Sequence, residues 1–190
     1  MKKKLTYLLT LLLLSYTGLK SQDIPPPNPG LVLNIVTGWS IDFTFDEFIE
    51  YQNGIENGGQ TFIRIGAIYD WKLQFHADQL TFIGTSGNTM ELNNLGVTIS
   101  SIGTNTEFNG HLTNFATVPV AVESDYVTLL TPGVFTNKGY GIENSFLLNW
   151  HMGTMDGNMN GTSMLDQMIS GAIEADDYTV NVILTLSIYP

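Results

Sequence analysis

The residue spacing that carries the most chemistry lies in "DGNMNGTSMLDQ", Asp156 to Gln167. Asp156, Asn158 and Asn160 offer oxygens at alternate positions, and Gly161 follows to permit a sharp turn. A calcium-binding loop begins in this order. Such a loop closes with a bidentate glutamate at its twelfth position, where this chain has Gln167, with Asp166 one residue early. A charge and a strong ligand are therefore missing, and the flanking "NWHMGTM" alternates like a strand where an EF-hand needs a helix. Two readings stay open: an Asn/Gly-rich surface turn, and a weak calcium site at Asp156, Asn158 and Asn160. Calcium is the one cofactor the sequence suggests.

The other reactive groups are scattered. His76 precedes Asp78 on the solvent side of a predicted strand, and His111 follows Asn109-Gly110 in a turn. His151 adjoins Trp150 on the opposite strand face. None keeps metal-ligand spacing, so His111 and His151 read as surface or rim residues. The acids of "FDEFIEY" and "EADDY" could furnish the carboxylate pair of a glycoside hydrolase. They fall at turns and strand starts, however, where charge solvates edges and discourages edge-to-edge pairing. The chain has no nucleophile elbow, phosphate loop or dinucleotide fingerprint, and the expectation is a non-enzyme. Trp39, Trp71 and Trp150 sit on apolar strand faces and are expected in the core. Tyr140, in "NKGYG", is the loop-borne aromatic best placed to meet a ligand.

Lys2, Lys3 and Lys4 precede an apolar run from Leu5 to Leu14, and polar residues follow to Ser21. This is the layout of an export signal over residues 1–22, with a core shorter than the roughly 20 residues of a membrane span. Residues 23–30, "DIPPPNPG", lose backbone donors at four prolines and read as a stiff spacer. Residues 31–190 suit a single domain. Without residues 1–22 the chain keeps Arg64, Lys72 and Lys138 against 18 acidic residues, a net charge of −15. That field repels phosphate backbones and anionic lipid. Nucleic acid is excluded as a partner, and no membrane span is expected after signal removal. There is no cysteine, so no disulfide framework supports the fold and no thiol is available for lipid attachment.

Beyond the spacer the apolar residues recur with period two, the mark of strands with one buried face. "LVLNIV" puts Leu31, Leu33 and Ile35 on one side, and "WSIDFTF" does the same with Trp39, Ile41, Phe43 and Phe45. "TFIRI" follows, then "YDWKLQFH", with Tyr69, Trp71, Leu73 and Phe75 inward and Lys72, Gln74 and His76 towards water. "TMEL", "LGVTISS", "VPVAVE", "YVTLL" and "SFLLNWHM" continue the series between glycine and asparagine turns. Helical spacing is confined to "FDEFIEYQNG", through Phe45, Phe48 and Ile49, and "TSMLDQMISG", through Met164, Leu165 and Met168. About ten strands and at most one or two short helical turns predict an all-β, antiparallel sandwich over 31–190. The closing stretch aligns Tyr178, Val180, Val182, Leu184, Leu186 and Ile188 on one face. At about 3.3 Å per residue it spans roughly 40 Å, so it is expected to bend or to form a buried seam through the sandwich.

"GAIEADDYTVNVILTLSIYP", an acidic residue and a tyrosine followed by alternating Val/Thr/Leu, resembles the closing strand of the spore-coat-U-like secreted pilin family. "YDWKLQFHA" is similar to a strand common in uncharacterised secreted proteins of Bacteroidetes. The resemblance implies an immunoglobulin-like form of the sandwich and an exported, non-enzymatic structural or adhesive protein of the cell surface or extracellular matrix, of the pilus-like subunit kind. Its partners would be other envelope or surface proteins or further copies of itself, and two readings of "LVLNIV" stay open: pairing within its own domain, the favoured one, and exchange onto a neighbouring subunit's sheet edge. Two other classes stay open: an extracellular glycan- or ligand-binding module, calcium-assisted or not, and a jelly-roll-like hydrolase. The location expected is extracellular or at the cell surface, with the periplasm as the alternative.

Overall fold

Alternating burial turns into two facing sheets. The computed structural model describes residues 30–190, so the expected signal and almost all of the spacer lie outside the described residues. The strands are β1 (Leu31–Thr37), β2 (Ile55–Ala67), β3 (Trp71–Ala77), β4 (Thr81–Gly84), β5 (Thr89–Glu91) and β6 (Leu95–Ser101). They continue as β7 (Leu112–Asn114), β8 (Val120–Ala121), β9 (Val127–Pro132), β10 (Ser145–Met152), β11 (Tyr178–Thr179) and β12 (Val182–Ile188). One sheet runs β1-β2-β10-β6-β8, a second β12-β3-β9-β7, and a small third β11-β4-β5, with every pairing antiparallel. The protein is an antiparallel β-sandwich.

The core lies between the first two sheets, where Ile63, Ile65, Phe146, Leu148 and Val97 face Trp71, Leu73, Phe75 and Leu130. Trp71 and Phe146 meet edge to face across the gap, with ring centroids 5.9 Å apart. Burying each such side chain contributes about 1.5–3 kcal/mol. The one ion pair among the described residues, Lys138 to Asp70 at 3.9 Å, is exposed and worth at most about 1 kcal/mol. Packing therefore holds the sheets together. No helix among the described residues is long and apolar enough to cross a membrane.

Several expectations are corrected. "WSIDFTF" is extended but pairs with no strand. Ile41 and Phe43 instead drop onto Gly59 and Gly58 of β2, where a Cβ would collide with them, and Phe45 reaches the ring of Tyr51 at 5.1 Å. The segment thus closes one end of the sandwich by side-chain packing, and Trp39, beside the turn at Gly38, points out at 75 % exposure. Tyr69 is exposed because the turn between β2 and β3 precedes the strand, which starts at Trp71. Both short helices form, α1 (Phe48–Asn53) and α2 (Met164–Ser170). Phe48 and Ile49 face solvent, while Tyr51 carries the inward contact of α1. β4 and β7, of four and three residues, stand outside the expected series.

The closing stretch bends. β11 pairs with β4 and β12 with β3, and the break falls at Val180-Asn181. There the Asn181 side chain donates to Asp78 Oδ2 at 2.9 Å and its carbonyl accepts the Asp78 N–H at 3.1 Å. The predicted alternation holds from Tyr178 to Leu186, with Val182, Leu184 and Leu186 half-buried against the core, but Ile188, expected on the same face, is exposed beyond the end of the covered row. β12, however, is an edge strand and not a buried central seam. The acids of "EADDY" also do more than solvate an edge. Asp176 accepts hydrogen bonds from Thr85 Oγ1 (2.7 Å), the Ser86 N–H and Asn88 Nδ2 (3.1 Å), clamping the turn between β4 and β5. The Thr85 hydroxyl is the main cause that holds its carboxyl below the usual range.

Candidate functional site

Two loops, 102–111 and 133–144, are locked onto the start of β3 by buried amides. The Trp71 N–H donates to Asn137 Oδ1 (3.1 Å), and Asn137 Nδ2 donates back to the Trp71 carbonyl (2.9 Å). The Asn137 carbonyl in turn accepts from Trp71 Nε1 (2.8 Å) and Asn144 Nδ2 (3.0 Å). Asn105 Nδ2 donates to Asn144 Oδ1 (2.9 Å) and to the Lys138 carbonyl (3.1 Å), joining the second loop to the first. Asn105, Asn137 and Asn144 are all buried. Satisfied polar networks of this kind rigidify what they hold.

On this support stands Tyr140, the predicted ligand-facing aromatic. It is exposed, its N–H donates to Glu143 Oε2 at 3.0 Å, and its ring lies over Gly66 of β2. Phe108, Val134, Phe135 and Ile142 stand exposed on the same two loops, with Phe108 95 % and Val134 88 % open to solvent. Phe135 binds its N–H to the Gly110 carbonyl and sets its ring 5.7 Å from that of His111, which is half-buried at the rim as expected. Sequence reasoning singled out Tyr140 alone. The signal for the others was present as large apolar residues inside turn-forming stretches, "TEFNG", "PGVFTN" and "YGIEN", where nothing in the local pattern calls for burial.

The calcium-like stretch is used differently from its template. Asn158 Oδ1 accepts the Ala121 N–H at 2.7 Å, and Asn160 Oδ1 accepts the Thr162 N–H at 3.0 Å. Asp156 is exposed. The sharp turn lies at Gly157, whose φ is +62° and whose Cβ would strike the Pro119 carbonyl, and not at Gly161. α2 starts inside the twelve residues, capped by Ser163, whose Oγ accepts the Asp166 N–H at 3.0 Å. Gln167 is thereby carried inward to a reciprocal amide pair with Asn94, at 2.7 and 3.1 Å. Its amide holds the loop to the turn before β6. Among the described residues, no three His, Cys, Asp or Glu groups are placed to share a metal ion.

Neither a family model nor a curated protein matches this chain.

His151 corrects a further expectation: it is buried, because the loop after β10 folds back over the outer face of its sheet and seats Met159 against Gly96. Its Nε2 meets Thr98 Oγ1 at 3.1 Å, and its Nδ1 is buried without a hydrogen-bond partner. Burial pushes the imidazole pKa down, and the carboxylates of Glu56 and Asp156 oppose this more weakly. The folded state therefore favours neutral imidazole. Below the ordinary value of 6.5 the unfolded chain binds the proton more readily, so stability falls as pH drops through 6.5 towards the folded value. Urea unfolding at about pH 7.5 and about pH 5 should show a smaller acid loss in His151→Gln than in the parent chain. Equal losses would mean that this imidazole does not contribute.

Proposed function

We propose that the chain is an exported, non-enzymatic structural or adhesive protein of the cell surface or extracellular matrix, of the pilus-like kind. One observation carries the reading: β1 and β12 are the outer strands of the two facing sheets and lie side by side, within 8 Å between Cα atoms. Among the described residues neither pairs with a second strand. Both expose apolar side chains there, Val36 on β1 and Ile183 and Ile188 on β12. Native sheets usually blunt such edges with charge, proline or cover, and an unblunted pair offers backbone donors and acceptors to a strand from another chain. β1 itself pairs with β2 of its own domain, so it acts as the accepting edge and not as the exchanged strand. The Tyr178 hydroxyl, donating to the Glu174 carbonyl at 2.8 Å, supports an immunoglobulin-like arrangement at the last corner.

The test compares the exported chain with a Val36→Lys, Ile183→Lys variant, by electron microscopy and sedimentation of envelope fractions. Assembled material in the parent and dispersed, folded protein in the variant is expected. A parent chain that stays dispersed would defeat the reading. Binding on a glycan array, with or without calcium, would move the protein into the ligand-binding class instead.

A further inference from the structure

The charges are divided between the two ends of the sandwich. The end formed by the 68–70 turn, the 102–111 and 133–144 loops and Ile188–Pro190 holds Arg64, Lys72 and Lys138 at or beside it. It also holds three acids, Asp70, Glu107 and Glu143. The other fourteen acidic residues of 30–190, among them Asp42, Glu56, Asp78, Asp125 and Asp156, lie on or beyond the opposite strand ends, with no lysine or arginine among them. Among the described residues one end is thus balanced in side-chain charge, and the other is a field of carboxylates.

The balanced end is also the one with the rigid apolar loops. Trp39, Phe48, Leu80 and Ile169 are exposed at the acidic end too, but they stand among those carboxylates. Covering them would strip water from unpaired charges. The balanced end has the make-up of a protein contact, rich in aromatic and aliphatic groups and poor in uncompensated charge. Its loops are already ordered by the asparagine network, so little ordering cost opposes binding.

We infer that this end is an interface for a second copy of the chain, joined end to end through the 102–111 and 133–144 loops about a twofold axis. The charge pattern selects the occupant. Two copies meeting here keep their acidic ends apart by about twice the roughly 23 Å of a seven-residue strand, many times the ~8 Å over which charge is felt at physiological salt. A head-to-tail stack would instead bury the carboxylates of one copy against an end whose three cations are already matched by three acids, so that most of those charges would lose water without gaining a partner. The twofold contact is closed and stops at the dimer. It is independent of strand addition at β1 and β12, which lie along the side of the sandwich.

Sedimentation equilibrium tests this in about 0.05 M and about 0.5 M salt, with the exported chain carrying Val36→Lys and Ile183→Lys so that strand addition along the side is blocked. A dimer whose affinity changes less than about threefold between the two is expected. Val134→Asp and Ile142→Asp, both at exposed positions, should each weaken it about tenfold or more with the thermal midpoint unchanged, and Leu80→Asp at the acidic end should leave it intact. Three results would overturn the inference: this side-blocked chain monomeric up to roughly 1 mM, growth beyond the dimer that salt dissolves, or a dimer that Leu80→Asp disrupts and the two loop substitutions do not. The first of these, beside an unsubstituted chain that still associates, would leave the strand-addition reading standing.

Discussion

A chain ended at Asn181 loses its cooperative thermal transition. β12 pairs residue by residue with β3, from Val182 opposite Ala77 to Ile188 opposite Trp71. β3 carries Trp71, Leu73 and Phe75, among the largest fully buried side chains. Removing β12 takes away the half-buried Val182, Leu184 and Leu186 and strips the flank of the most deeply buried row. At about 1.5–3 kcal/mol for each fully buried apolar residue, the direct and indirect losses reach the 5–15 kcal/mol that holds a typical domain folded. The check is far-ultraviolet dichroism during heating, beside the full chain. A truncated protein with a sharp transition near the parent's would show that an edge strand of this size is dispensable.

Asn137→Ala is the second large effect, at about 2–6 kcal/mol. The side chain satisfies both backbone groups of Trp71, and it is fully buried. Alanine would leave that N–H and carbonyl unpaired in the interior, where each orphaned group costs about 1–3 kcal/mol. Lys138→Ala, by contrast, removes an exposed ion pair and is expected to change stability by less than about 1 kcal/mol. Urea unfolding of the two variants beside the parent distinguishes the cases. A small effect for Asn137 and a large one for Lys138 would mean that charge, and not the amide network, fastens the loops.

The same contrast explains what could be read in advance. In "YDWKLQFH" each side chain's environment follows from the pleat, because alternate residues of a strand point to opposite faces. Trp71, Leu73 and Phe75 are therefore inward as expected. In "WSIDFTF" the alternation is equally regular and Ile41, Phe43 and Phe45 do turn inward, yet no strand pairs with them. Periodicity reports which face is covered and is silent on whether the cover is another strand or a glycine gap. Trp39 and His151 show the limit most sharply. One is apolar and exposed, the other polar and buried, and both depend on a loop or turn whose course is set by distant contacts.

The candidate site divides in the same way. Tyr140 was legible because an aromatic in a Gly-rich loop has no local reason to be buried. Its four companions, and the Asn105–Asn137–Asn144 network beneath them, come from loops about thirty residues apart in the chain. The calcium-like template failed to predict the course of its own segment because Ser163 caps a helix within it and Asn94 captures Gln167, two contacts that the linear motif does not contain.

By itself the sequence determined that this is a strand protein without disulfides, strongly acidic in net charge beyond residue 22, whose alternate residues face a common core. Those properties are local, since the pleat and the side-chain chemistry act at each residue. Tertiary structure alone decided that β12 is an edge, that His151 is buried, and that the cations and the exposed loops share one end. Each of these depends on which strands become neighbours, and that is settled by the packing of residues far apart in the chain.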